Sequence, residues 1–146
     1  MEELPHSAEQ LMRSRFSAYA IKNYAYILNT YAENERQGLS ISELSESAKG
    51  AQWLALQINH AASDSSVSTP DDLNTLDSVE FTAFYSENNQ LYQLHETSYF
   101  VKEQGAWRYR DGVLHNDCGK LKYGRNLPCV CGSGKKFKQC CSTKIR

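Results

Sequence analysis

Four cysteines lie within thirteen positions of the stretch CVCGSGKKFKQCC, residues 129–141. One residue separates the first pair, and the second pair is adjacent. Zinc takes four thiolates tetrahedrally in structural sites, and each pair can supply two of them. Gly132 and Gly134 allow backbone dihedrals that turn amide groups toward the sulfurs. The pattern therefore predicts a small zinc knuckle, a metal-held loop with Phe137 as its apolar plug.

Disulfides are the competing interpretation of these cysteines. Local rings between neighbouring cysteines are strained, and thiols stay reduced in the cytosol. Both points favour the metal, although a longer bridge such as Cys129 to Cys141 stays open for an oxidised sample.

Positive charge accompanies the sulfurs. Residues 119–146 contain eight lysines and arginines and no acid, so the other 118 residues carry a net charge of −9 in a chain whose total is −1. Lys135, Lys136 and Lys138 are expected to offset the negative charge of a zinc–thiolate centre. They also form a basic patch that predicts an anionic partner, with contact to the chain's own acidic part as the alternative.

Composition limits the class of protein. The chain has 146 residues with 40% hydrophobic content, which is typical of a folded globular domain with a small appendage. No apolar run approaches the ~20 residues of a membrane helix. The first ten residues are acidic and polar, unlike a secretory signal, so a cytoplasmic location is expected.

Helices come first along the chain. Ser7 with Gln10, and Ser40 with Glu43, have the spacing of a capping box, and Asn23 suits the start of a helix between them. The apolar residues that follow each cap recur at helical period. The three predicted helices cover about 7–20, 23–31 and 40–50.

Strands follow. The period changes to two after Gly50, with Leu54, Leu56 and Ile58 expected on one side of the first strand. The polar stretch 60–77 is predicted to be a long loop. Helices before strands predict an α+β fold, in which N-terminal helices pack on a curved antiparallel sheet and enclose a cone-shaped cavity. The four predicted strands cover 53–59, 78–87, 91–103 and 106–111.

A few side chains outside the cysteine cluster are candidates for a pocket. Arg15 in the first helix can line the mouth of the cone and hold an anion, or it can pair with a surface acid. His95 on the third strand can form an acid–base pair with Tyr85 if its face looks into the cone, although a half-buried structural histidine is the plainer interpretation. Cys118 is interpreted as a free thiol. No catalytic residue can be assigned.

The sequence resembles two known families. PCVCGSGKKFKQCC resembles the SEC-C zinc motif found at the C-terminus of the SecA translocation ATPase. LMRSRFSAYA, WLALQI and HETSYFVKEQGAWRYRDG resemble the YchJ-like family of uncharacterised bacterial proteins, whose middle domain is similar to the nuclear-transport-factor-2-like cone. Many members of that family carry a further cysteine motif at the N-terminus, which is not found in this sequence.

The resemblance implies zinc as cofactor and assigns roles by position. Its implied ligands are Cys129, Cys131, Cys140 and Cys141. It implies a division into a nuclear-transport-factor-2-like domain at 5–114, a linker at 115–124 and a SEC-C motif at 125–143.

Three functions compete at this point. The first is a binding module whose zinc motif contacts an acidic protein surface or the ribosome, because the similar motif of SecA binds the chaperone SecB and engages ribosomes. The second is a small enzyme of isomerase or dehydratase type, with a small-molecule ligand in the cone. The third and weakest is nucleic-acid binding through the basic tail, which the acidic body would oppose.

Overall fold

The computed structural model describes residues 5–61 and 76–144. Helices come first and the sheet follows, which confirms the predicted α+β fold. The helices are α1 (Ala8–Ala20), α2 (Tyr24–Asn29), α3 (Glu33–Arg36) and α4 (Ile41–Ser47). No helix in these two ranges combines the length and the apolar character needed to cross a membrane.

The predicted helix caps are confirmed. The side chains of Ser7, Asn23 and Ser40 each accept a hydrogen bond from the backbone N–H three residues later, which satisfies a donor that has no partner within the helix. Gln10 reaches back as a capping box requires, but its Oε1 accepts from the N–H of His6 at 2.7 Å. The single-turn helix α3 was not predicted, because it has neither a side-chain cap nor a buried face.

The strands form the predicted antiparallel sheet, in the order β1-β2-β3-β4. A two-residue strand, β5 (Gly119–Lys120), pairs with β3 inside the segment predicted as a linker. Strands β1, β2 and β4 are all longer than predicted. The extensions of β1 and β2 take up both ends of the predicted 60–77 loop, and 62–75 lies outside the described residues. The four main strands are β1 (Gln52–Ala61), β2 (Leu76–Glu87), β3 (Gln90–Glu103) and β4 (Ala106–Leu114).

Each face of the sheet packs against something different. The inner face packs on α1 through a core that includes Leu11, Val79 and Phe100, all at most 1% exposed. The outer face carries a second apolar cluster that contains Phe84, Leu91 and the C-terminal cysteines. Two distinct packing surfaces therefore share one sheet.

The face pattern of β1 departs from strict alternation. An irregularity in pairing between Trp53 and Ala55 marks a β-bulge, where one strand holds an extra residue. Leu54 and Ala55 both join the outer cluster, whereas Leu56 and Ile58 pack in the inner core. The prediction that Leu54 shares a face with Leu56 and Ile58 is therefore wrong.

The helical segment also covers one end of β4. The backbone N–H of Tyr109 donates to the Thr30 carbonyl, and the Ala32 N–H donates to the Tyr109 carbonyl, each at 2.7 Å. These bonds hold the connection between α2 and α3 against the sheet edge. The layer of helices is thereby fixed over the inner face, and a cavity remains between the two layers.

Candidate metal centre and central pocket

The structure brings the four predicted zinc ligands together. One ligand atom from each of Cys129, Cys131, Cys140 and Cys141 lies within 4.8 Å of the others, and the sulfurs of Cys131 and Cys140 are 3.5 Å apart. Thiolates at ~2.3 Å from a tetrahedral zinc are ~3.8 Å from one another. The sulfur positions therefore fit a tetrahedral metal, and the cluster can hold one.

Local backbone geometry explains why these sulfurs converge. Gly132 and Gly134 have φ of 76° and 85°, a region that side chains disfavour, so the chain can turn tightly between the two cysteine pairs. The Cys129 N–H donates to the Lys135 carbonyl at 2.8 Å and closes the turn. Two short 3₁₀ helices, Phe137–Gln139 and Cys141–Lys144, then carry the second pair.

The thiols differ in their surroundings. A hydrogen bond from the Ser133 side chain lowers the pKa of the exposed Cys131 thiol to about 6. Burial raises the pKa of the Cys141 thiol, which is 0% exposed. A buried thiolate needs a compensating cation, and a bound metal deprotonates its thiols outright. The donor set thus has the chemistry of a metal site.

The loop between the cysteine pairs presents the basic patch. Lys135, Lys136 and Lys138 are all exposed, and none of them takes part in a salt bridge among the described residues. Pro128 and Lys136 form an isolated antiparallel bridge, so the backbone beneath the lysines is fixed. The three lysines therefore project from an ordered backbone.

This knuckle rests on the outer face of the sheet. Phe137 and Cys141 are buried in one apolar cluster with Phe84 and Leu91 of the sheet. Tyr123 packs its ring edge-on against Phe137 with centroids 5.0 Å apart, and its hydroxyl donates to the Pro128 carbonyl. The knuckle is therefore packed against the body of the molecule.

The second candidate site is the cavity between helices and sheet, the central pocket, with a volume of about 410 Å³. Arg15 and Tyr85, both predicted pocket residues, line it. The described lining consists of Met12, Arg15, Phe16, Tyr19, Tyr31, Ser47, Ala48, Ala51, Trp53, Phe81, Ala83, Tyr85, Glu87, Leu94, Glu96, Ser98 and Tyr109.

Arg15 is buried in the pocket wall, only 3% exposed, rather than paired with a surface acid. Its Nη1 donates to the Thr30 hydroxyl at 2.5 Å and to the Ile27 carbonyl at 3.2 Å. Its guanidinium carbon lies 4.6 Å from the ring centroid of Tyr31 and 4.4 Å from that of Tyr109. Cation–π contacts therefore stabilise a buried charge that has no carboxylate within salt-bridge distance among the described residues.

Sequence reasoning missed Glu96, which carries a carboxylate into the same pocket. Its Oε2 accepts hydrogen bonds from the Ser98 hydroxyl and, at 3.1 Å, from the Tyr109 hydroxyl. A Cβ built on Gly112 would lie 2.5 Å from that Oε2, so the glycine leaves the space that the carboxylate fills. The alternation of side chains along β3 predicts that Glu96 and His95 point to opposite faces of the sheet. It does not predict which of the two faces the pocket.

His95 lies on the outer face, so the pairing with Tyr85 that would follow from an inward face does not occur. The plainer interpretation, a half-buried histidine with hydrogen-bond partners, agrees with the structure. Its Nε2 is 2.6 Å from a Glu80 oxygen and its Nδ1 is 2.8 Å from an Asp117 oxygen. These hydrogen bonds, that to Glu80 above all, raise the pKa of His95. The carbonyl of His95 accepts from the His115 N–H, and the Cys118 sulfur lies 3.2 Å from the His95 backbone nitrogen. The cluster therefore ties segment 115–118 to β3.

Glu80, His95 and His115 also place ligand atoms within 4.8 Å of one another. The two imidazole rings, however, stack with centroids 3.8 Å apart and planes 7° from parallel. An imidazole nitrogen binds a metal in the plane of its own ring, so one ion cannot lie in both planes. This arrangement is a hydrogen-bonded charge cluster, not a preformed metal site.

Comparison with known proteins identifies both parts of the chain. The family model described as YchJ, middle NTF2-like domain, matches residues 7–112, and the SEC-C motif model matches residues 125–142. A UPF0225 protein of Shewanella sp. (strain MR-4) is 42% identical over 95% of this chain and 80% of its own. A UPF0225 protein of Vibrio parahaemolyticus is 40% identical over 91% of this chain and 81% of its own.

Two solved structures are similar in fold. A SEC-C motif-containing protein from Psychrobacter arcticus matches 99% of this chain and 78% of its own with a TM-score of 0.64 and 28% identity. A SEC-C motif-containing protein from Rhodopseudomonas palustris matches 75% of this chain and 80% of its own with a TM-score of 0.63 and 26% identity.

Proposed function

Because the chain belongs to the YchJ-like UPF0225 family and ends in a SEC-C motif, we propose that it is a zinc-dependent binding module. In this proposal the ion holds the knuckle in shape, and the three lysines of its loop dock on an acidic surface of a partner protein or of the ribosome. The acidic body carries the knuckle and offers a separate pocket to a small molecule.

Zinc is the metal that the donor set favours. Four thiolates in a tetrahedral arrangement are typical of structural zinc, whereas oxygen-preferring cations such as Mg²⁺ and Ca²⁺ select carboxylates. Thiolate ligands must stay reduced while the protein is made, which supports a location in the cytoplasm.

A single observation carries the docking proposal: Lys135, Lys136 and Lys138 are exposed on a loop that the cysteines fix at both ends. Complementary charge speeds association and selects partners more than it adds affinity. A rigid loop also loses little entropy when it binds. The knuckle therefore suits a transient, salt-sensitive contact.

Ribosome co-sedimentation and partner capture from cell extract test this proposal with the full chain. Zinc-loaded protein should bind, and both chelation and the double change Lys135→Ala with Lys136→Ala should abolish recovery. The matched control is Lys22→Ala with Lys49→Ala, which removes two exposed lysines from the body. Equal recovery by the metal-free protein would overturn the proposal.

RNA competition with the same protein samples distinguishes nucleic-acid binding from binding to a protein surface. If naked RNA competes for the knuckle with a steep salt dependence, the contact is to phosphate rather than to an acidic protein surface. The net charge of −9 on the rest of the chain opposes a long polyanion, so RNA is expected to compete poorly.

The central pocket supports a second role, as a receptor for a small molecule. Its volume of about 410 Å³ lies in the range of ligand sites, and it combines apolar walls with a few fixed polar groups. Native mass spectrometry of gently purified protein tests for a bound ligand.

An isomerase or dehydratase is the alternative, with Glu96 as the proton acceptor. If the protein exchanges the α-proton of a substrate and Glu96→Gln abolishes that exchange, the pocket belongs to an enzyme rather than to a receptor.

A further inference from the structure

The central pocket contains two opposite charges that do not neutralise each other directly. No salt bridge joins Arg15 to Glu96 within 4.0 Å, and neither forms one with another described residue. Tyr109 contacts both, since its ring faces the guanidinium and its hydroxyl donates to the carboxylate. The positive and negative groups are thus held apart by one aromatic side chain.

Arg15, the positive group of the pocket, has hydrogen-bond donors that no described residue uses. Arg15 uses Nη1 for its hydrogen bonds to Thr30 and Ile27, and no described residue accepts from its Nε or Nη2. The rings of Tyr31 and Tyr109 lie 4.6 and 4.4 Å from its guanidinium carbon and 5.3 Å from each other, so both rings lie to one side of it. The free Nε and Nη2 donors share one edge of the guanidinium. An edge with parallel N–H groups has the geometry that binds a carboxylate.

The negative end is held in place by two hydroxyls. Both hydrogen bonds to Glu96 converge on Oε2, which leaves Oε1 as an acceptor without a described partner. The absence of a side chain at Gly112 fixes where this carboxylate can lie. Glu87, the pocket's other carboxylate, is six positions along β2 from Phe81, the partner of Glu96, so the two backbone positions are roughly 20 Å apart.

Between and beside these charges the walls are aromatic. Phe16 and Tyr19 pack against Trp53 with ring centroids 6.1 and 6.2 Å away, and Tyr85 lies 4.8 Å from Trp53 on the other side. The indole N–H of Trp53 is buried and has no hydrogen-bond partner among the described residues. A buried donor without a partner is uncommon in a native structure.

From these groups we infer that the central pocket binds a small zwitterion with an apolar, flat body, as an aromatic amino acid has. Its carboxylate is held by the edge of Arg15, its ammonium by Oε1 of Glu96, and its body by the walls around Trp53. A ligand with one charge would leave the opposite protein charge desolvated and unpaired, which is unfavourable. This inference rests on the receptor role proposed for the pocket and adds the ligand's chemical class.

A matched ligand series tests the class with zinc-loaded, full-length protein. The series is L-phenylalanine, phenylacetate, 2-phenylethylamine and the neutral 2-phenylethanol, with binding followed by calorimetry and by the NMR signal of the Trp53 indole N–H. L-Phenylalanine should bind at least about tenfold more tightly than either singly charged compound, because each charge-assisted hydrogen bond is worth about a factor of ten or more.

Point variants test whether Glu96 binds the ammonium group of the ligand. Glu96→Gln should weaken L-phenylalanine about tenfold. It should not weaken phenylacetate, because it removes the carboxylate that this ligand leaves unpaired. Gly112→Ala should reproduce that loss, because the added methyl displaces the carboxylate without removing it. Asp111→Asn, which removes an exposed carboxylate from the neighbouring position of β4, is the control and should change neither affinity. Circular dichroism and zinc content establish that each variant is folded.

The outcomes separate the ligand class from the receptor role. If 2-phenylethanol binds as tightly as L-phenylalanine, the pocket is a receptor but the zwitterion inference fails. If Glu96→Gln weakens phenylacetate and L-phenylalanine equally, the assignment of Glu96 to the ammonium fails. If no compound in the series shifts the Trp53 signal, both the ligand class and the proposed receptor role are overturned for ligands of this size.

Discussion

The knuckle and the body owe their structure to different interactions. The body buries Leu11, Val79 and Phe100 in an apolar core between α1 and the sheet. The knuckle buries Phe137 and two cysteines, and its other residues between 129 and 139 are mostly exposed. A segment with so little apolar burial cannot order itself by the hydrophobic effect alone. In the proposed zinc-bound form, one chain joins a core-driven fold to a metal-driven one.

Removal of the metal should produce the largest difference in structure between the knuckle and the body. Structural zinc binds small modules with apparent free energies of ~10–16 kcal/mol, so the knuckle should lose its structure when the ion is chelated. The body should keep its own. Backbone NMR of the chelated protein is the measurement, with loss of dispersion expected for 125–144 and retention for β1 to β4. Cys141→Ser should have the same effect, and an ordered knuckle in either sample would contradict the comparison.

A core substitution should affect the opposite region. Phe100 is 0% exposed, and replacement of a buried phenylalanine by alanine destabilises a protein by about 3–5 kcal/mol. Phe100→Ala should lower the free energy of unfolding of the body by that amount in urea titrations. Its zinc affinity, measured by competition with a chromophoric chelator below the unfolding transition, should be unchanged. A parallel fall in zinc affinity would show that the regions are not independent.

A substitution at the contact between the regions should have a smaller effect that depends on the metal. Leu91 belongs to the outer cluster that includes Phe137 and Cys141. Leu91→Ala should cost about 2 kcal/mol in the zinc-loaded protein, at the low end for a buried leucine. In the metal-free protein the knuckle no longer covers this position, so the loss should shrink. An equal loss in both states would place Leu91 with the body alone.

The smallest expected effect concerns pH and the cluster around His95. Glu80 and Asp117 raise the pKa of His95 in the folded protein. Protonated His95 therefore stabilises the folded state, and this stabilisation is complete below the pKa of histidine in the unfolded chain, about 6.5. That contribution disappears as the pH rises through the folded pKa. Urea unfolding of zinc-saturated protein should therefore show a lower free energy of unfolding at pH 8 than at pH 6.

His95→Gln is the control for this pH dependence. The glutamine keeps a hydrogen-bonding side chain but does not titrate, so the difference between pH 6 and pH 8 should diminish. An unchanged difference would assign the pH dependence to other groups, such as the thiols of the knuckle.

Local signals in the sequence predicted much of this molecule. The capping residues Ser7, Asn23 and Ser40 marked helix starts because a cap depends on neighbours within three positions. The cysteine pairs indicated a common centre because their spacing permits little else. The order of helices and strands followed from a change of hydrophobic period.

The interior of the pocket could not be predicted in the same way. Which face of β3 points inward depends on how the sheet packs over α1, so the sequence left His95 as a candidate for the pocket and did not single out Glu96. Gly112 lies sixteen positions from Glu96 in sequence, and only the pairing of β3 with β4 brings them together. The bulge in β1 likewise depends on pairing with β2, and it moved Leu54 to the outer face.

The bulge in β1 gives two consecutive residues, Leu54 and Ala55, to the outer face, where a regular strand would give one. The same extra residue bends the strand, with Trp53 on the pocket side of the bend. The contour of the cavity and the seat of the metal loop therefore share one backbone irregularity. Loss or gain of a residue at this point would alter the pocket wall and the contact with the knuckle at once.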